Sequence, residues 1–503
     1  AEPGDFVAFM SLLLMSAGEP VAANRRTEEL YLTLQGAVDE AQSGDVIEVV
    51  GDIELTSTVS INKALVLRAD GSFRIECADG FHWHPLLAVE SGGELTLGGS
   101  GSLTIDGADH TNGVVQNSGA LTMLAGTKIT GYGGVINYGT FTMHDGSISG
   151  NASQTYNGGV NNMGTFKMTG GTISGNSGGD GGGVITSGAF EMTEGTISGN
   201  SSGSYGGGVY IALGGSFKMT GGTISGNSAP NFGGGGVYAG GGAFEMTGGT
   251  ISGNSALSFG GGVYIYIGCT FKMSGGLISG NSAPVGGGIF DGGNFSLSDD
   301  AVVEDEVFLY NDSKIEVEDF TGSVLVVPES YQVGRPVLEP LGGGTYSPAL
   351  LARISVSPNE EGNWRIDGNG QLAQEPNVVK VTIAGTDSYF TSLEAAKGFF
   401  QNGATVTLLA DAVMESAVLC ICTLTFTSEG AHRLTRGPGL TGAMFHAIAG
   451  GELRFVGGGG LTIDGGGVED VGNRIVVIDG PMSTCTVGPG VTLTGGRATN
   501  GGA

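Results

Sequence analysis

Few side chains in this sequence are placed to do acid–base or metal chemistry. Asp106 precedes His110 by one short turn, and His144 abuts Asp145. Each pair sets a carboxylate beside an imidazole, the combination used for general acid–base catalysis. Hydrolysis of a glycoside needs two carboxylates facing one sugar at roughly 5–10 Å. Asp106, Asp145, Asp180, Glu191, Glu194 and Glu245 are the candidates. His82 and His84 flank Trp83 with the alternation of a strand, and no third ligand presents itself for a metal. The five cysteines are scattered and read as small hydrophobes; Cys420 and Cys422, two apart on an apolar strand, are poorly placed for a disulfide.

The elements that must position these groups are set by glycine and by repetition. Glycine supplies 99 of the 503 residues, which argues against helix, and 14 prolines without a three-residue period argue against collagen. Between residues 113 and 290 one unit recurs: Gly-Gly-Gly-Val-Tyr, a spacer, Phe-Lys-Met-Thr-Gly-Gly, then Thr-Ile-Ser-Gly-Asn-Ser. Its phenylalanines are Phe141, Phe166, Phe190, Phe217, Phe244 and Phe271, spaced by 25, 24, 27, 27 and 27. Alternating triplets separated by glycine turns predict three short strands per coil and an all-β, right-handed parallel β-helix. Stacked coils put Phe on Phe, Met on Met and Ile on Ile. The residues Asn151, Asn176, Asn200, Asn227, Asn254 and Asn281 then form a ladder of amides at a tight turn. Lys167, Glu191, Lys218, Glu245 and Lys272 alternate in charge on the outside, as one repeat per coil requires.

Residues 1–29 read as a leader or cap. Phe6 to Met15 is too short to span a bilayer; it reads as part of a secretion signal with Val21-Ala22-Ala23 as cleavage site, or as a cover for the first coil. A first β-helix is predicted over 30–330, opened by a capping helix near 32–42, and 331–378 reads as an end cap or linker. A second, incomplete β-helix is predicted over 379–503, because a shift of 359 matches Leu34 with Leu393, Asp52 with Asp411 and Leu65 with Leu424. The chain then reads as part of a longer repetitive protein, or as one whose C-terminal coil meets another chain end to end. The acidic stretch 291–319 blunts an open end, with calcium binding as the sharper reading. No other cofactor is expected. The net charge of −29 excludes nucleic acid and anionic membrane as main partners.

The tandem Phe-x-Met-Thr-Gly-Gly-Thr-Ile-Ser-Gly-Asn-Ser with Gly-Gly-Gly-Val resembles the repeats of bacterial surface adhesin-like proteins built on the pectate-lyase-like β-helix. The helix followed by Gly44-Asp45 resembles the usual opening of that superfamily. The resemblance implies an extracellular, cell-surface or secreted stalk or adhesin module that meets a glycan or a surface protein. The same superfamily holds polysaccharide lyases and glycoside hydrolases, so a polysaccharide-active enzyme is the alternative. A lyase of that kind needs a basic residue as base, and no Arg occurs between Arg74 and Arg335. The variable loops after each Asn leave one corner and carry Tyr156, Tyr205, Phe232 and Phe259. These rings either bind a ligand or pack on one another. A third reading is a regular hydroxyl array for ice or another surface, from Thr172/Ser174, Thr196/Ser198, Thr223/Ser225 and Thr250/Ser252.

Overall fold

The computed structural model describes residues 19–80, 84–108, 113–153, 158–339, 344–359, 362–466, 474–479 and 482–495. The chain winds into stacked parallel coils, a β-solenoid of about 16 turns. It divides into two compact units. One holds the described residues to Ser355 with Ile366–Gln371; the other holds Val356–Arg365 and the described residues from Leu372.

Three main stacks of parallel strands build the first unit, and where three strands per coil are predicted a fourth, short parallel ladder runs through Ser177–Gly178, Ser201–Ser202, Ser228–Ala229 and Ser255–Ala256. One stack, the Phe face, pairs Phe141 with Phe166, Phe166 with Phe190, Phe190 with Phe217, and so on to Phe295. The rings lie inside, with centroids 4.4–5.2 Å apart and planes within 19° of parallel. The methionine two residues on and the isoleucine of the next strand are buried as well. These columns of Phe, Met and Ile, with the buried valines Val135 to Val263 of the third stack, form the core, each fully buried chain contributing roughly 1.5–3 kcal/mol.

Where the sequence predicts separate triplets, Thr165–Ser174, Ala189–Ser198, Ala243–Ser252 and Thr270–Ser279 are continuous ten-residue strands. Each bends between its two halves, and the register slips there, for example around Thr169. Glycine makes the bend. Gly171 has φ +77°, and a Cβ on it would sit 2.6 Å from Met143 Cε. The side chain that fills the core therefore leaves no room for a methyl group at the corner.

The N-terminal end of this unit is covered by Ala22–Asn24, which pairs antiparallel with Asp45–Val49, and by the helix Leu34–Glu40. Ala22 and Ala23 are buried there. Thr33 caps the helix, its Oγ1 accepting from Gly36 N–H at 3.1 Å. Lys63 Nζ donates to the carbonyls of Val38, Asp39 and Ala41 at the other end, where the helix dipole favours a cation. The helix is shorter than its apolar spacing predicts, because Leu30 and Leu32 lie outside it and are exposed.

The second unit repeats this plan. Its three stacks run through Ala404–Leu408, Ala412–Met414 and Val418–Cys420, each continuing in parallel. Ser392 caps the helix Leu393–Ala396 as Thr33 caps its counterpart. Even single hydrogen bonds recur. Asp52 Oδ1 accepts from Arg74 N–H at 2.8 Å, and Asp411 Oδ1 from Arg433 N–H at 2.7 Å. Arg74 pairs with Asp106, and Arg433 with Asp464.

Candidate functional site

The three outer surfaces of the first unit differ in chemistry. On the Phe face, Lys167, Glu191, Lys218, Glu245 and Lys272 stand in register on successive coils. Lys218 Nζ lies 3.0 Å from Glu245 Oε1, a half-exposed pair worth little in water. On the second face, Thr172/Ser174 to Thr250/Ser252 stack in register and are part-exposed, until Leu277 interrupts the threonines. The third face carries no such polar row.

That third face is built from the strands Val184–Thr186, Val209–Ile211, Val237–Ala239, Val263–Ile265 and Ile289–Asp291 and the end of Val302–Leu309. Valine or isoleucine points in and the next residue points out. The outward column pairs Tyr210 with Tyr238, Tyr238 with Tyr264, Tyr264 with Phe290, and Phe290 with Phe308. Successive ring centroids are 5.3, 5.0, 4.7 and 5.5 Å apart. Period-two alternation already sends Tyr to the side opposite Val, yet the five-ring row was not picked out from the sequence.

The corner rings roof this row. Tyr205 stacks on Tyr238 at 4.5 Å and on Phe232 at 5.0 Å, and Phe259 packs on Phe290 at 4.9 Å. Tyr238 is consequently only 5% exposed. Burial pushes the phenols of Tyr210, Tyr238 and Tyr264 above the usual tyrosine range. The rings singled out from the sequence thus pack on their neighbours and still present surface: Phe232 remains 49% exposed. Leu257 and Phe259 are exposed at the same corner, and Leu213, Tyr266 and Ile267 at the opposite one. Tyr156 lies outside the described residues.

The Asn ladder lies behind this corner. Asn151, Asn176, Asn200, Asn227 and Asn254 each donate from Nδ2 to Oδ1 of the next at 2.9 Å. The same Oδ1 accepts the preceding backbone N–H at 3.0 Å. The second Nδ2 hydrogen goes to an isoleucine carbonyl one coil back, such as Ile173 O for Asn200 at 3.0 Å. From Asn176 onward each amide oxygen and both amide hydrogens are used, as burial demands, and only Asn151 Oδ1 at the rear end lacks a partner. A second, interior ladder runs Asn117, Asn137, Asn162 and Thr186, linked at 2.6, 2.7 and 3.0 Å. The recurrent Val-x-Asn of these coils is the signal that would have disclosed it.

The acid–base candidates are engaged locally. Asp106 pairs with Arg74 and accepts from Ala108 N–H at 2.8 Å, closing a turn. Asp464 makes the equivalent bond to Gly466 N–H at 2.9 Å. His144 Nδ1 lies 2.7 Å from Thr169 Oγ1, and Asp145 Oδ1 accepts from Gly146 N–H at 2.7 Å. His110, His82 and Trp83 lie outside the described residues. His84 borders an open polar cleft with Thr56, Ser57, Thr58 and Asp79. In the acidic stretch, Asp305 and Glu306 accept backbone N–H groups from Gly280, Asn281 and Gly287. Among the described residues no group of three or more His, Cys, Asp or Glu is gathered to hold a metal. No described helix is long and apolar enough to cross a membrane.

One buried acid stands apart. Asp291 occupies the inward position taken by Ile265 on one neighbouring coil and Leu309 on the next. Its Oδ1 accepts from Gly293 N–H at 3.0 Å, while Oδ2 is buried without a partner. Burial raises its pKa to about 7.

Fold and surface together define a parallel β-solenoid with one charged, one hydroxyl-bearing and one aromatic face. Comparisons with protein-family models, with curated proteins and with solved structures find no match to this chain.

Proposed function

We propose that the chain is a non-catalytic, extracellular surface protein: a rigid β-solenoid stalk or adhesin-like module that binds through its aromatic face and the turn loops beside it. The observation that carries this reading is the row of five rings on consecutive coils, of which Tyr238 and Phe290 are covered by Tyr205 and Phe259 while Tyr210, Tyr264 and Phe308 stay part-exposed, rimmed by exposed apolar side chains. Contiguous apolar surface of this kind marks interaction sites. The rigid ladders beneath hold the row in place, so binding need not pay for ordering it. The resemblance to surface adhesin-like repeats points the same way.

The test is a binding screen of the purified chain on glycan and protein arrays, with product analysis on polysaccharide substrates. Retention without turnover is expected, and alanine at Tyr205, Phe232 and Phe259 should abolish it. Turnover that disappears with Asp106→Asn or His144→Ala would reverse the conclusion in favour of a polysaccharide lyase or glycoside hydrolase.

A further inference from the structure

We infer that the ligand of the aromatic face is a neutral, unbranched polysaccharide lying along the solenoid axis. The inference rests on the adhesive reading above and adds to it the class of ligand.

Charge is the first argument. The segments 201–215, 228–242, 255–268 and 282–293, which build the middle of this face and its corners, contain no Lys, Arg, His or Glu and a single Asp. That residue is Asp291, whose side chain is fully buried. The coils at the two ends add no cation, but bring Asp180 at one end and Glu304, Asp305 and Glu306 at the other. The Lys and Glu of the middle coils stand on the Phe face instead. An anionic polymer would find no cation on the aromatic face and would be repelled by a chain of net charge −29. A cationic one would find carboxylates only at the two ends of the row, Asp180, Glu304 and Glu306, and none on the coils between them.

Period is the second. The ring row repeats every 4.7–5.5 Å along the axis. A sugar unit of an extended chain advances by about one such coil spacing. Tyr238 and Phe290 are covered, so a linear polymer meets the part-exposed Tyr210, Tyr264 and Phe308 at every second unit, and weak contacts in series add up through effective concentration.

Surface chemistry is the third. The C–H faces of pyranose rings are apolar and pack on aromatic rings and aliphatic side chains. Leu213 at 86% exposure and Ile267 at 61% extend the platform beyond the rings. Tyr205, Tyr210, Tyr264 and Tyr266 add hydroxyl groups that can meet those of a sugar.

The experiment measures retention of the full chain on microcrystalline cellulose, chitin and insoluble β-glucan, with polygalacturonate as the anionic control. Retention on at least one neutral polymer, insensitive to salt, is expected. The combined variant Leu213→Ser, Phe232→Ser, Phe259→Ser, Ile267→Ser changes only exposed side chains and should lower retention about tenfold or more. Lys218→Ala on the Phe face should leave it unchanged. Circular dichroism checks the fold, and Leu213→Ser alone serves if the combined variant is unstable. Retention on polygalacturonate, on none of the neutral polymers, or undiminished in the variants overturns the inference. So does a dimer in solution that these substitutions dissociate, since the face would then belong to a second copy. Binding to a protein through this face sinks only the ligand class, whereas adhesion to nothing on either array sinks the adhesive reading itself.

Discussion

Asn281 donates from Nδ2 to Asp305 Oδ2 at 2.9 Å, and its backbone N–H donates to the same oxygen at 2.9 Å. Asp305 thereby takes the place a seventh asparagine would have held. The ladder is polar, because every amide gives its N–H forward and receives from behind. Its forward end needs an acceptor alone, and a carboxylate supplies that with a charge-assisted bond. Its rear end, Asn151 Oδ1, is buried without a donor.

Replacing Asp305 by Ala should leave the Asn281 donors unpaired and cost about 1.5–3 kcal/mol. Amide exchange at Gly280 and Asn281 should accelerate first, since Gly280 N–H donates to Asp305 Oδ1 at 2.7 Å. Unchanged exchange at both would refute the capping role.

Inside the ladder, Asn200→Asp should be worse than Asn200→Ala. A carboxylate there would face Ile173 O and Asn227 Oδ1, both acceptors that now receive Nδ2 hydrogens. Ile173 O loses its amide donor at about 1–3 kcal/mol, Asn227 Oδ1 keeps only the Asn200 backbone N–H, and the charge facing both oxygens lowers the denaturation midpoint further. The gap between the two variants should narrow at low pH, where the acid is protonated.

Asp291 makes stability pH-dependent, and the sign follows from its displaced pKa. The folded value of about 7 lies above the ordinary 3.8, so the unfolded chain releases this proton first as pH rises. Stability from this group is complete below about pH 4, falls between about pH 4 and 7, and stays reduced above. The full loss is roughly 4 kcal/mol. Asp291→Asn should therefore raise the denaturation midpoint at pH 8 and leave it nearly unchanged at pH 4. Equal effects at both values would show that the carboxyl is solvated.

Two glycines separate backbone strain from steric exclusion. Gly175 has φ +62° with open space around a Cβ, whereas Gly171 has φ +77° and Met143 Cε at 2.6 Å. Gly175→Ala should cost about 1–2 kcal/mol from the left-handed backbone alone. Gly171→Ala adds the clash and should cost more, read as a lower thermal midpoint.

Much of the architecture was legible because a solenoid makes each coil a neighbour of its own repeat. The spacing of Phe141 to Phe271 alone says that these rings stack, and the charge alternation from Lys167 to Lys272 says that they stack one repeat at a time. The same logic relates the second unit to the first, since Asp411 and Arg433 repeat the bond between Asp52 and Arg74. The candidate site was only half legible. Phe232 and Phe259 stood out as recurring loop residues, while Tyr210, Tyr238 and Tyr264 passed as part of the Gly-Gly-Gly-Val-Tyr phrase.

What the sequence by itself determined is the set of side chains that share one position on successive coils, since periodicity encodes contacts along the axis. What only the tertiary structure decided is everything that crosses between non-equivalent positions. That Tyr205 leaves its corner to cover Tyr238, that Asp305 ends the asparagine ladder after the repeat has faded, and that Asp291 turns inward beside Ile265 all depend on how loops of unequal length close. No period records those lengths, so these contacts exist only once the coils are closed and packed.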